Sequence, residues 1–332
     1  MKIEIPFRTF AAILIFATVT FLVIELRYQL LLFFIAMIVA MTLSTVKKFL
    51  IKKGMLKKIA TPLIILFYFG ILFSILFLII PTLVGQLMDL SLHFPEIKSK
   101  ILTMPFASSL VKNVNELLQN SPDLIKNAES LLPVIGKQTF GGLLSMGIFF
   151  IVSLYMFLDG NRSYRWFRSH FNERVQERMD QTVRDIEPIM TAYVFGQVTT
   201  STLAALVVFV SATLLHIPAA LTLAVLAAFF DILPGIGFIL IAFTSSIMGL
   251  AAGAEAALLI FAILTAYHLF ESYVLTPYIY GNRMKLSPLV VLLSLIFAGT
   301  IAGVPGMIAI LPMVAAYSTI EKLWLRDLLK QH

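Results

Sequence analysis

Cysteine is missing from all 332 residues of the chain, so disulfides, zinc–thiolate centres and thiol nucleophiles are excluded. Charged residues are scarce, at 13% of the sequence against about 25% in an ordinary soluble domain. No GxxxxGK[ST] phosphate-binding loop occurs, which excludes a P-loop ATPase within this chain. There is no HExxH pair and no nucleophile elbow. The five histidines (His93, His170, His216, His268 and His332) are too scattered to form a metal-ligand cluster. No cofactor, no metal and no enzymatic chemistry are expected.

Apolar residues, by contrast, make up 59% of the chain, and its mean hydropathy is +0.94. Soluble domains are about 45–50% apolar, so a chain this greasy needs lipid as part of its solvent. A helix needs roughly 20 apolar residues to cross about 30 Å of hydrocarbon. Six uninterrupted stretches come close to or reach that length: 7–24, 28–46, 59–80, 140–158, 198–215 and 256–273. Two more, 219–250 and 289–320, are broken by Pro and Gly. The first stretch follows Lys2 and carries Arg8, like a signal peptide. Its apolar run is longer than an h-region and no small-residue cleavage site follows, so an uncleaved span is expected. The predicted fold class is an all-α polytopic membrane protein of six to eight transmembrane helices.

Orientation follows from Lys and Arg. The loop after the second span carries Lys47, Lys48, Lys52, Lys53, Lys57 and Lys58, and the segment after the fourth carries Arg162, Arg165, Arg168, Arg174, Arg178 and Arg184. Placing both inside, with Arg283, Lys285 and both termini, puts nineteen of the 25 basic residues on the cytoplasmic face. The net charge of +7 is thereby explained by topology, and no nucleic-acid partner is expected. The chain then divides into three N-terminal spans (1–80), an extracytoplasmic amphipathic segment (81–138) and a fourth span (139–158). A cytoplasmic amphipathic segment (159–197), a core (198–320) and a cytoplasmic tail (321–332) follow. In the outer segment Leu110, Val114, Leu117 and Leu118 share one helical face, and prolines at 95, 105, 122 and 133 predict short helices on the membrane surface or the bundle. Inside, Val175, Met179, Val183, Ile186 and Met190 mark a packing helix, while Trp166 and Trp324 read as interfacial anchors.

The two broken stretches resemble each other. Pro218 is followed after 16 residues by Pro234-Gly235, and Pro288 after 17 by Pro305-Gly306. Each reads as a short apolar arm, a Pro-Gly break and a second apolar arm, the pattern of a re-entrant helical hairpin. With the span before each, they form two units, 198–251 and 256–320, of opposite orientation. Such an inverted repeat points to a mid-membrane site and alternating access, with the two breaks near each other. The alternative is eight ordinary, irregular spans.

Ionisable groups inside apolar runs are costly and usually face a cavity. Asp231 stands directly before Ile232-Leu233-Pro234-Gly235-Ile236-Gly237. It suits ion coupling or the capping of the half-helix that follows. Glu271 lies three residues after His268, on one helical face. That pair suits a proton relay or an interfacial contact. Pro234, Gly235, Gly237, Gly303 and Gly306 permit tight turns and the approach of a ligand to exposed amides, with Thr300 nearby.

At these residues the chain resembles the autoinducer-2 exporter (AI-2E) family of bacterial permeases. The likeness rests on Phe157-Leu158-Asp159-Gly160, Tyr193-Val194-Phe195-Gly196-Gln197, Asp231 through Gly237, Glu271-Ser272-Tyr273-Val274-Leu275-Thr276-Pro277, Gly281 and Leu286-Ser287-Pro288. Phe195 stands where the family commonly has Arg and Ser287 where it has His. The resemblance implies a permease of the bacterial inner membrane without an ATPase subunit. It also implies a role in exporting the quorum-sensing signal autoinducer-2, or in sodium(lithium)/proton antiport. The leading expectation is a secondary transporter that exports a small polar solute on an ion gradient. A cation/proton antiporter using Asp231 and Glu271 is the second reading, and a passive channel or membrane scaffold the third. The lipid bilayer and a small polar solute or cation are the expected partners, with a homo-oligomer left open.

Overall fold

A computed structural model of the protein describes residues 7–79, 81, 122–233, 235–280 and 287–325. Every regular element among them is helical, as expected for backbone in hydrocarbon, where only a helix or a closed barrel satisfies each N–H and C=O. The helices are α1 (Phe7–Glu25), α2 (Arg27–Lys52), α3 (Lys57–Ser74), α4 (Pro122–Arg168), α5 (Glu173–Leu214), α6 (Ala220–Phe230), α7 (Ile236–Ala252), α8 (Ala254–Phe270), α9 (Thr276–Tyr280) and α10 (Pro288–Ile320). Short π-helical segments extend α3 (Ile75–Ile79), α8 (Glu271–Leu275) and α10 (Glu321–Leu325).

Among the described residues, six helical stretches are long and apolar enough to cross a membrane: Arg27–Lys52, Lys57–Phe77, Leu144–Arg168, Glu173–Leu214, Ala254–Ile279 and Leu289–Leu325. Their surfaces stay apolar where they are exposed. Leu66, Leu214 and Leu258 are each more than 70% exposed, which is stable only against lipid. The chain is an all-α polytopic membrane protein.

Two of the expected divisions fall inside continuous helices. The fourth span and the basic segment after it are one helix, since Asp159-Gly160 does not interrupt α4. The inner amphipathic helix and the fifth span are likewise continuous in α5, through Pro188. At 47 and 42 residues these helices run about 70 and 63 Å, so each extends well beyond the hydrocarbon. The turn between them ends at Asn172, whose side-chain oxygen accepts the Val175 N–H at 3.0 Å and caps α5. Most of the outer segment expected over 81–138 lies outside the described residues, and from Pro122 onward it is helix.

By packing, the chain divides into two compact units, taken in turn. The first comprises Met1–Thr42, Val152–Met190 and Leu286–His332. Asp180 holds the ends of α4 and α5 together, accepting from the Tyr164 hydroxyl at 2.8 Å and pairing with Arg168 at 2.9 Å. Trp324 is more than an interfacial anchor, because its indole N–H donates to the Thr182 hydroxyl at 2.9 Å. Helix α10 is broken at Ala302-Gly303, where Gly303 adopts φ 59°, ψ −145°. A Cβ on Gly306 would collide with the Ala298 carbonyl. Eight residues of straight helix span about 12 Å, so the chain folds back sharply at this break.

The second unit comprises Leu43–Ile151 and Thr191–Lys285. Its core gathers Val208 and Ala212 of α5, Leu223 and Ala227 of α6, Ile241 and Ala242 of α7, and Ile260 and Leu264 of α8. Helix α5 ends in a left-handed turn: the His216 N–H bonds the Thr213 carbonyl and the Ile217 N–H bonds the Ala212 carbonyl. This is a Schellman stop, and Pro218 prevents the helix from resuming. Helix α6 is 11 residues long. The turn into α7 passes Gly235 at φ 76°, and a Cβ on Gly237 would collide with the Phe230 carbonyl. Seven residues of straight helix would hold these groups about 10 Å apart, so the second break folds back like the first.

Candidate functional site

The C-terminus of α6 carries the negative end of its helix dipole, an unfavourable place for a carboxylate. Asp231 occupies that position and is held there by α5. Gln197, Thr200 and Ser201 lie at i, i+3 and i+4 on one face of that helix. Asp231 Oδ2 accepts from Ser201 Oγ at 2.7 Å, Thr200 Oγ1 at 3.1 Å and Gln197 Nε2 at 3.1 Å. Gln197 Nε2 also lies 3.0 Å from the Asp231 carbonyl oxygen, so one amide engages both side chain and backbone. Charge-assisted bonds of this kind are about twice as strong as neutral ones. The capping role does not materialise. The N-cap of α7 is Gly235, with no side-chain acceptor, and the carboxylate of Asp231 turns to α5 instead.

Helix α8 brings the second acid. Glu271 opens the π-helical segment Glu271–Leu275, a local insertion that re-aims a side chain and is frequent at functional sites. Its carboxyl group lies beside that of Asp231, and its side chain is only 15% exposed. The two acids stand side by side, with three donors on α5 flanking Asp231.

His268 also lies beside Glu271, with Nδ1 3.7 Å from Oε2. Its ring stacks on Phe238 at a centroid distance of 4.3 Å and an interplanar angle of 7°, which fixes the imidazole plane beside the carboxyl. Tyr267 donates its hydroxyl proton to the Thr200 carbonyl at 3.2 Å, tying α8 to α5. Farther along the hairpin arms, the hydroxyls of Thr222 on α6 and of Ser245 and Ser246 on α7 are buried without a protein hydrogen-bond partner.

Of the residues expected from sequence, Asp231, His268 and Glu271 come together, and Gly235 and Gly237 shape the turn that presents Asp231. Pro234 lies outside the described residues. Thr300, Gly303 and Gly306 belong to the first unit. There Gly303 forms the break, Gly306 packs on the opposing arm, and the exposed Thr300 bonds its hydroxyl to the Phe297 carbonyl at 2.8 Å. Sequence reasoning missed Gln197, Thr200, Ser201, Tyr267 and Phe238. A signal existed for the first three, since Gln197 and the hydroxyl run 199–202 stand at one end of a membrane helix.

Comparison with known proteins places this arrangement among transporters. YrrI of Bacillus subtilis (strain 168), provisionally named a transport protein, is 21% identical over 309 residues, covering 88% of this chain and 85% of its own. YueF of the same organism, also provisionally named a transport protein, is 27% identical over 63% of this chain and 56% of its own. A protein of Synechocystis sp. with the same kind of name is 25% identical over 60% of this chain and 57% of its own. The model of the AI-2E family transporters matches residues 10–326, nearly the whole chain, and the protein belongs to that family.

Proposed function

We propose that this protein is a secondary transporter of the bacterial inner membrane, and that the Asp231–Glu271 pair is its ion-coupling site. The observation that carries this reading is the juxtaposition of two acids, Asp231 and Glu271, with Asp231 held among the donors Gln197, Thr200 and Ser201. A proton held there can be exchanged for a hard cation such as sodium or lithium, because carboxylate and hydroxyl oxygens are the ligands such ions prefer. His268 is positioned to pass the proton on. The cargo is a small polar solute moved outward, with autoinducer-2, the signal that the family resemblance implies, as the first to test. No ATPase subunit and no catalysis are involved.

The hairpins serve this reading as re-entrant elements. Helix α6, at 11 residues, spans about 16 Å, half of the hydrocarbon, which puts Asp231 near mid-membrane if the hairpin enters from outside. The buried hydroxyls of Thr222, Ser245 and Ser246 would line its outer half. A second reading, sodium(lithium)/proton antiport with no organic cargo, is favoured by the same oxygen-rich pair.

Flux in proteoliposomes separates the readings, using an internal pH dye and labelled autoinducer-2, with and without imposed proton, sodium and lithium gradients. Gradient-dependent movement of the solute supports export. Cation-driven pH change without solute movement supports antiport. Gradient-insensitive flux, or none, overturns both in favour of a channel or scaffold.

A further inference from the structure

The positive charge of this protein is concentrated in one short stretch. Residues 47–58 contain Lys47, Lys48, Lys52, Lys53, Lys57 and Lys58, and no acidic residue occurs between Glu25 and Asp89. The other basic segment is balanced: its six arginines, Arg162 to Arg184, are matched by Asp159, Glu173, Glu177, Asp180, Asp185 and Glu187. Six of the seven units of net charge therefore lie on twelve residues.

Structure fixes where those residues sit. Helix α2 ends in a Schellman stop, in which the Gly54 N–H bonds the Ile51 carbonyl at 3.0 Å and the Met55 N–H bonds the Leu50 carbonyl at 3.1 Å. Gly54 supplies the φ of 98° that this turn requires. Two residues later α3 begins at Lys57. Both flanking helices are long and apolar enough to span, so the turn lies at a membrane face whichever way the protein is inserted. Lys52, Lys53, Lys57 and Lys58 are exposed. Among them stand Phe49, Leu56 and Ile59, each more than half exposed. The Lys53 ammonium lies 5.7 Å from the centre of the Phe49 ring.

We propose that the α2–α3 turn is a binding site for anionic phospholipid, with Lys52, Lys53, Lys57 and Lys58 on headgroup phosphates. Phe49, Leu56 and Ile59 enter the headgroup–acyl boundary. Lysine stems lie along apolar surface while their ammonium groups reach the phosphate layer. A juxtamembrane lysine near an anionic surface strengthens association about fivefold, and here no acidic neighbour in sequence offsets the four.

The test uses the full chain in neutral detergent, titrated with a fluorescent phosphatidylglycerol. Saturable binding is expected, competed by unlabelled phosphatidylglycerol and poorly by phosphatidylcholine. The variant K52Q/K53Q/K57Q/K58Q should bind at least about a hundredfold more weakly, and K52Q/K53Q about twenty-five-fold more weakly. The pair serves alone if the quadruple variant does not fold. The control R162Q/R174Q, in the balanced segment, should bind like the parent. Unchanged affinity in the lysine variants, an equal loss in the control, or displacement by millimolar inorganic phosphate as effective as by the lipid would each overturn the proposal.

Discussion

Replacing Gly237 with Ala probes the turn that presents Asp231. An added Cβ would strike the Phe230 carbonyl and come within 3.1 Å of the Asp231 backbone nitrogen. Both obstacles are backbone, so no rotamer change relieves the clash, and the arms of the hairpin must separate. Overpacking of this kind costs about 1–3 kcal/mol. Entropy gained by removing a glycine from the unfolded chain returns only about 0.4–1 kcal/mol. The net expectation is a loss of about 1–2 kcal/mol, together with displacement of Asp231 from Ser201, whose 2.7 Å bond tolerates little movement. Gly235→Ala is the comparison: nothing lies within 4 Å of a Cβ there, and the change is opposed only by φ 76°, at about 1–2 kcal/mol. Thermal unfolding in detergent, paired with gradient-driven flux in proteoliposomes, reads both variants. Gly237→Ala should lose stability and most of its flux, whereas Gly235→Ala should lose stability with more of its flux retained. Parental stability and flux in Gly237→Ala would refute the close packing of α6 on α7 and the dependence of the site on it.

Ser201→Ala removes the shortest donor to Asp231 and should cost about 1.5–3 kcal/mol, the worth of a hydrogen bond to a charged group, with flux reduced. An unchanged unfolding midpoint with unchanged flux would remove Ser201 from the site. Asn172→Ala deletes the cap of α5 and should lower stability by about 0.5–2 kcal/mol while leaving coupled flux intact, so a selective loss of flux would mean that this turn does more than end a helix. For topology, Asn115→Cys in this cysteine-free chain should react with impermeant thiol reagents from outside the cell, and reaction from the cytoplasmic side alone would invert the orientation.

Asp231 and Glu271 could be found in the sequence because an acid beside an apolar run is rare enough to stand out, and the breaks because a Pro-Gly pair recurs at matching places in the two runs. Their meeting could not, since forty residues separate the two acids and only the packing of α6, α7 and α8 joins them. The role of Asp231 was ambiguous for the same reason. Local pattern offered a cap for α7, and only the position of α5, with Gln197, Thr200 and Ser201 turned toward it, decided against one. Gln197 lay in plain sight within a family-like motif, but its partner is 34 residues away. The expected divisions at 158/159 and 197/198 fall inside the continuous helices α4 and α5, because a change from apolar to charged sequence marks where a helix leaves the hydrocarbon rather than where it ends.

The central claim is that the carboxyl pair couples transport to an ion gradient, and Asp231→Asn tests it most directly. Asn keeps the shape of Asp and an oxygen that can accept from Ser201, but it removes the charge. The measurement is the internal pH change in proteoliposomes when a sodium or lithium gradient is imposed, alongside gradient-driven solute flux. Asp231→Asn should abolish both while unfolding at close to the parental temperature, and Asp231→Ala should abolish both with an additional loss of stability. Coupled flux at the parental level in a folded Asp231→Asn protein would contradict the account and leave Asp231 as a structural acceptor for α5 alone.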